Sequence, residues 1–522
     1  MKLSLAALSL AAITLFAATA PGGARWWSHV EFLASDKLEG RNTGSPGHKK
    51  AAEYVAAQFE RNGLKPAGEQ GYIQPVKFKT LQLDESKSSF VLNSKMLTLG
   101  EEVIIGTRVD PSPSVEAGLV FVGYGLKVPE SNYDDFKGLD TRGKIAVYMG
   151  GSPASLSPAL AAHYQSGGER WATLKSAGMI GAISIPNPKH MDIPWSRIAS
   201  NRFQMSMQLA APGMNETAGE QIVANWNPAH ADDLLAGTGH TLDEIVAAAE
   251  ARKQLPRFNI PAQVKIKTAV NRGEAESQNI AAIYPGTDPK LKDEFVVLSA
   301  HIDHLGIGKP INGDAIFNGA MDNAAGVASI LDIAQQLKES SVKTKRSILF
   351  VVVTGEEKGL LGSDYFAQHS TVPKKSIVAD INCDMFLPLY PLKLLTVKGL
   401  EESTLGDDIR AVAEQMGVRV QADPQPARNI FIRSDQYSFV KQGIPAIFPG
   451  FGNEKGSKEE AIENKWLAER YHAPSDDLNQ PVDKAAAGKF NDLLEHLLIR
   501  VANADTKPAW KQTSFFKRYA GK

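Results

Sequence analysis

The chain almost lacks cysteine: one residue, Cys383, stands among 522. A lone thiol cannot close an internal disulfide, so packing alone must hold the fold together. In IVADINCDM it reads as a small apolar filler of a buried strand. No Cys/His spacing of a zinc finger occurs. Charge of one sign is missing too. A formal net charge of −1 gives no electrostatic pull toward nucleic acid or an anionic membrane surface. There is no internal repeat and no compositional bias toward disorder. Beyond the amino-terminal segment there is no apolar run long enough to span a bilayer.

What is present is a chain longer than one typical domain, with 43% apolar residues to build real cores. Met1 to Ala24 reads as a secretory signal. Lys2 supplies a positive start, and Leu3 to Ala20 is an unbroken small and apolar run. Ala18-Thr19-Ala20 fits a cleavage site, although Pro21 would hinder cutting there, and Gly22-Gly23-Ala24 is the alternative. An uncleaved anchor is the competing reading, disfavoured by the alanine and serine content. Export to the periplasm or the medium is therefore expected.

Ser45-Pro46-Gly47 opens a helix whose apolar face is Ala51, Ala52, Val55, Ala56 and Phe59, and Asn62-Gly63 stops it. From Phe90 to Asn271 the texture changes to short β-like runs broken by Gly, Pro and Ser, with one helix expected from Glu169 to Gly178. From Gln278 onward, apolar strands alternate with amphipathic helices. That rhythm predicts an α/β fold, a mixed but mainly parallel sheet covered by helices on both faces. The expected division is a signal at 1–24, a first part of the main domain at 25–89, a β-rich insertion at 90–271, the main domain again at 272–505, and a surface-packed tail at 506–522.

Sites in such sheets lie at the carboxyl ends of strands. His301 ends EFVVLSA, and Asp303, two residues on, could orient its imidazole. Asp322 sits in GAMDNAAG, where a helix N-cap is the plain alternative. Glu356-Glu357 follows an apolar strand; adjacent side chains diverge, so one acid can hold a metal while the other reaches a water. Asp384 ends SIVADINC, and His472 lies in YHAPSDD. Two histidines, three carboxylate ligands and a spare carboxylate suit two zinc ions sharing a bridging carboxylate. Histidine donors favour zinc or cobalt over magnesium and leave manganese open.

The ordered set HID, GAMDNAAG, TGEEKGLLGS, NCDM and YHAPSDD closely resembles the two-zinc aminopeptidases, the family-28 metallopeptidases related to glutamate carboxypeptidase, glutaminyl cyclase and the transferrin receptor. FLASDKLEGRNTGSPGHKKAAEYVAAQFERNGLKPAG looks like that family's opening segment. FVGYGLKVPESNYDDFKGLDTRGKIAVYMGG and KSAGMIGAIS resemble its inserted protease-associated domain. The resemblance implies that His301 and Asp384 complete one zinc site, Glu357 and His472 the other, and that Asp322 bridges both. It implies Glu356 as general base and Asp303 as partner of His301. Gln436 stands where many relatives have histidine, and no role carries over to His304. The implied substrates are peptides with a free N-terminus, with no nucleic acid and no membrane beyond the signal. A carboxypeptidase or dipeptidase on the same scaffold would need cations for a substrate carboxylate, for which Arg428 and Arg433 are available. A glutaminyl cyclase, usually a one-metal enzyme, is disfavoured by the full ligand set. A receptor-like binding protein with a dead site is the alternative from another class.

Overall fold

The computed structural model describes residues 22–191 and 193–521. Most of the signal segment read at Met1 to Ala24 lies outside the described residues. No described helix is long and apolar enough to cross a membrane.

The main sheet runs Ser206–Leu209, Ile73–Leu83, Val270–Tyr284, Ser347–Val353, Phe295–His301, Ile377–Asn382, Ala446–Phe451, Leu394–Lys398 and Arg419–Ala422 in spatial order. Its four central strands, Ser347–Val353 through Ala446–Phe451, pair in parallel. The flanks turn antiparallel, at Val270–Tyr284 on one side and Leu394–Lys398 on the other. Parallel pairing is thus concentrated where helical crossovers return the chain to the same edge.

The central strands are apolar on both faces. Val296, Leu298 and Ala300 join one core, as do Ile348, Phe350 and Val352. That core is filled from above by helices Gly22–Leu33, Pro46–Arg61, Ala325–Ser340 and Lys484–Asn503. The alternate residues Val297, Leu349, Val351 and Val353 face Phe366 and Phe439 on the other side. The period of two along each strand sorts the two cores. Carboxyl ends of all four parallel strands then open on one edge, where the strand-end residues gather.

A second, eight-stranded sheet takes its strands from Ser89–Leu92 to Phe258–Lys267 and has its own apolar core. The helix expected from Glu169 to Gly178 is Gly167–Ser176. This stretch holds more helix than its β-like texture suggested, including Leu242–Glu250, whose cap was readable. The Thr241 side chain accepts from the Glu244 amide, three residues into TLDE. The segment also reaches back: Ser206–Leu209 pairs with Ile73–Leu83 and so adds an edge strand to the main sheet. The segment expected as a surface-packed tail plants Trp510, Phe516 and Tyr519 against Tyr437 and Val440 of the main unit and Ala162 of the inserted one.

Candidate metal centre

Five segments converge on the carboxyl edge. Strand Phe295–His301 ends on His301; the turns after Ser347–Val353 and Ile377–Asn382 carry Glu356-Glu357 and Asp384. Asp322 sits just before helix Ala325–Ser340, on backbone of extended φ, and His472 holds a left-handed φ of 53° in a loop. All five residues expected to hold metal come together, with Glu356 beside them.

The Nε2 of His301 lies 3.2 Å from Asp384 Oδ1 and 3.3 Å from Asp322 Oδ1. The Nε2 of His472 lies 3.2 Å from Asp322 Oδ2 and 3.3 Å from Glu357 Oε1. Each nitrogen therefore faces two carboxylate oxygens, though it can donate only one proton. Asp322 sends a different oxygen to each histidine, the posture of a carboxylate shared by two centres. Two donors, each about 2.1 Å from one tetrahedral ion, stand ~3.4 Å apart, close to these spacings. A helix cap is not the role of Asp322; Asn323 accepts the amide of Gly326 instead, at 2.9 Å.

Electrostatics separates the two adjacent acids. Burial, with the charges of Glu357 and Asp384, pushes Glu356 well above the carboxylate range against the pull of His301. Burial would raise Glu357 too, but His472 and His304 hold it well below. Burial would lower both histidines, yet the acids win. His301 is carried well above 6.5 by Asp384 and Glu356, and His472 to about 10 by Glu357 and Asp322. This excess of buried negative charge calls for cations. Glu357 Oε1 and His304 Nδ1 point the same way: they crowd to 2.7 Å without the geometry of a hydrogen bond. The residues present fit a pair of divalent ions.

Asp303 was expected to orient His301 through its carboxylate. That oxygen is 3.9 Å from His301 Nδ1, whereas the Asp303 carbonyl oxygen is 3.1 Å away. The carboxylate turns elsewhere because better donors surround it. It accepts the Glu356 and Glu357 amides at 3.1 and 3.4 Å and the Thr43 hydroxyl at 2.8 Å. Asp303 thus holds the imidazole with its main chain and the Glu356-Glu357 turn with its side chain.

Several participants had no role assigned from the sequence. His304 Nδ1 stands 2.7 Å from Glu357 Oε1 and 3.9 Å from Asp322 Oδ2. Its signal was its place three residues after His301. Asp476, already in view in YHAPSDD, accepts the Met321 and Asp322 amides at 2.9 and 3.0 Å. Arg41, from the opening segment, is fully buried; its guanidinium donates to the carbonyls of Ile302, Asn318 and Gly319 at 2.9, 2.6 and 2.9 Å and to that of Leu33. It ties the strand that carries His301 to the loop that carries Asp322. Gln436 is buried behind the site and accepts from Asn382 at 2.7 Å. Gly326 lets its helix approach: a Cβ there would meet the Cys383 carbonyl oxygen at 2.2 Å.

An α/β sheet with a buried histidine–carboxylate cluster at the carboxyl edge of its parallel strands defines a class of metal-centred protein. Residues 279–498 match the model of peptidase family M28. Aminopeptidase Y of Saccharomyces cerevisiae is 28% identical over 214 residues, 39% of this chain and 35% of that protein. Aminopeptidase YwaD of Bacillus subtilis is 26% identical over 252 residues, 47% of this chain and 49% of its own. The chain spans about a third of aminopeptidase Y and 40% of a probable leucine aminopeptidase 2 of Aspergillus oryzae. Among solved structures, an aminopeptidase from Aneurinibacillus sp. strain AM-1 shares the fold with a TM-score of 0.58. It is 18% identical, covering 94% of this chain and 97% of its own. BSAP, a zinc aminopeptidase from Bacillus subtilis, does so with a TM-score of 0.51 at 19% identity, covering 91% and 94%.

Proposed function

We propose that the chain is a two-zinc exopeptidase that removes N-terminal residues from peptides. The observation that carries the reading is Asp322, which offers separate oxygens to His301 and His472, each also paired with a carboxylate. His301 and Asp384 would hold one ion and His472 and Glu357 the other, with Asp322 common to both. The names of the relatives, aminopeptidases and a zinc aminopeptidase, support the same choice. Zinc at these donors would supply Lewis acidity toward a peptide carbonyl and lower the pKa of a water.

The chain's own residues do the rest. Glu356, the carboxylate pushed upward, accepts a proton from water and returns it to the leaving amine. Asp303 fixes the backbone that aims it. The crowd of acids attracts a free α-amino group, which favours cleavage at the amino end. The eight-stranded unit, read as a protease-associated domain, helps wall the cleft. Its Ser184, Ala224 and Trp171 line a cavity of 580 Å³ that reaches Glu357 and His472. Export to the periplasm or the medium fits the single, buried cysteine, which asks nothing of an oxidising compartment.

The test compares free-amine aminoacyl anilides with N-blocked, free-carboxylate peptides, before chelation, after it and after zinc return. Hydrolysis of the anilides that is lost and regained with zinc is expected. Cleavage of the blocked peptides alone would overturn the reading in favour of a carboxypeptidase. Glu356→Gln should lower kcat at least a hundredfold with zinc content unchanged; normal turnover would remove Glu356 as the base.

A further inference from the structure

Two cavities, of 580 and 480 Å³, meet beside the metal centre, and the residues they share are Arg108, Gly167, Thr217, Glu357, Lys358 and His472. Most cations along their walls are already engaged. Arg202 holds Glu85 at 2.6 Å, and Arg170 donates to the Tyr124 carbonyl at 2.7 Å. Lys441 lies between Glu216 and Asp364 at 3.0 and 3.1 Å, and Arg433 has interactions of its own. Arg108 and Lys358 differ. Neither the guanidinium nor the ammonium forms a hydrogen bond or ion pair among the described residues, and Lys358 is only 6% exposed. The Arg108 Nη1 comes within 3.8 Å of where a Cβ of Gly359 would sit, so it leans over the Glu356–Gly359 turn from the inserted unit.

A buried ammonium next to a metal-ligating acid is poorly compensated. Asp303 and Glu357 are the acids that act on Lys358. Asp303 is taken up by two amides and a hydroxyl, and Glu357, on the function proposed above, by metal. A buried charge without its own partner costs stability unless a ligand supplies one. Arg108 comes from a different unit and points its fork into the same junction, where a planar carboxylate can accept two bonds from it.

We propose that Arg108 and Lys358 form a carboxylate subsite on the leaving side of the scissile bond. Its ligand is the α-carboxylate of a very short peptide, or an acidic side chain just after the cleaved residue. One extended residue spans ~3.5 Å, so a carboxylate one residue beyond the scissile carbonyl stays near the turn that carries both Glu357 and Lys358. The proposal rests on the exopeptidase reading and adds a substrate class to it: di- and tripeptides with a free carboxyl end, or peptides with Asp or Glu in the second position.

The experiment measures kcat/KM for two matched pairs. One is Leu-Gly against Leu-Gly amide; the other is a longer C-terminally amidated peptide beginning Leu-Asp against its Leu-Asn twin. Wild-type protein should favour the acid by about tenfold or more in at least one pair, and the pair that responds identifies the source of the carboxylate. Arg108→Gln and Lys358→Met should each bring that ratio toward one, chiefly through KM. Circular dichroism and zinc content show whether each variant is folded and loaded. Arg108 is exposed, so its variant remains informative if loss of Lys358 disturbs the turn. Ratios near one for both pairs in the wild type overturn the subsite, and so does a ratio unchanged in both variants. Cleavage of N-blocked peptides only would instead sink the underlying exopeptidase reading, and the leaving-side assignment with it.

Discussion

Arg41→Met removes the guanidinium that ties the His301 strand to the Asp322 loop while leaving an apolar stem of similar reach. Four buried carbonyls lose a charged donor. A hydrogen bond to a charged group is worth about 1.5–3 kcal/mol net, so the gross loss is about 6 kcal/mol or more. Against this, the variant no longer buries a guanidinium; burial pulls the Arg41 pKa down to about 10, against the nearby acids led by Asp476. Offsets of this kind commonly leave a net destabilisation of about 3–5 kcal/mol when one partner of a buried ionic network is removed. That is a large part of the margin of an ordinary domain. Calorimetric melting should show a drop on the order of 5–10 °C. Zinc titration of the folded variant at low temperature should show weaker uptake, because Ile302 and Gly319 are no longer held together. Arg41→Lys should rescue little, since an ammonium has three donors and no fork. A variant melting within about 1 °C of the wild type, with equal zinc uptake, would refute the view that this guanidinium spaces the two halves of the site.

Burial pushes the Glu220 carboxyl from 4.5 up to about 7, against the pull of Arg170. The folded chain then keeps a proton the unfolded chain has released, so stability falls as pH rises between those values and stays lower above them. Glu220→Gln should match the wild type in melting temperature near pH 4 and exceed it by a few degrees at pH 8; identical pH profiles would contradict this. Gly326→Ala places a methyl on the Cys383 carbonyl oxygen and should cost about 1–3 kcal/mol, with reduced zinc content on the folded protein. The Cys383 thiol is buried and its pKa is pushed far upward by that burial. A thiol reagent should leave it untouched in native protein and modify it only on unfolding, so rapid labelling under native conditions would contradict the burial.

The parts of the site that lay open in the sequence share a simple origin. His301, the Glu356-Glu357 pair and Asp384 each follow an apolar strand, so a linear pattern locates them on one edge once the sheet is parallel at its centre. Asp322 and His472 depend on chain segments whose meeting no local pattern announces; only the order of the motifs points to them. Arg41 and Lys358 were not legible. Arg41 acts through carbonyls far along the chain, and carbonyls carry no sequence signal. Lys358 looks like any lysine in a turn until the cavity around it is seen, and Arg108 faces it from another unit. Likewise the Asp303 carboxylate turns away from His301, its neighbour in the sequence, because nearby amides and a hydroxyl offer better bonds.

The long antiparallel pairing of Ile73–Leu83 with Val270–Tyr284 ends at Leu83 opposite Val270. Everything between, including the whole eight-stranded sheet, departs from and returns to two residues that are already neighbours. A detour of that kind asks no distortion of its host, because its ends are closed by the ladder itself. A two-residue turn such as Asn-Gly could join Leu83 to Val270 and leave an ordinary hairpin. The chain would then read as a plain α/β unit, stripped of the wall that carries Arg108 and of the outer strand Ser206–Leu209. What the detour adds is therefore separable in principle from what the hairpin supports, and variation in cleft and selectivity can accumulate in the one without rewriting the other.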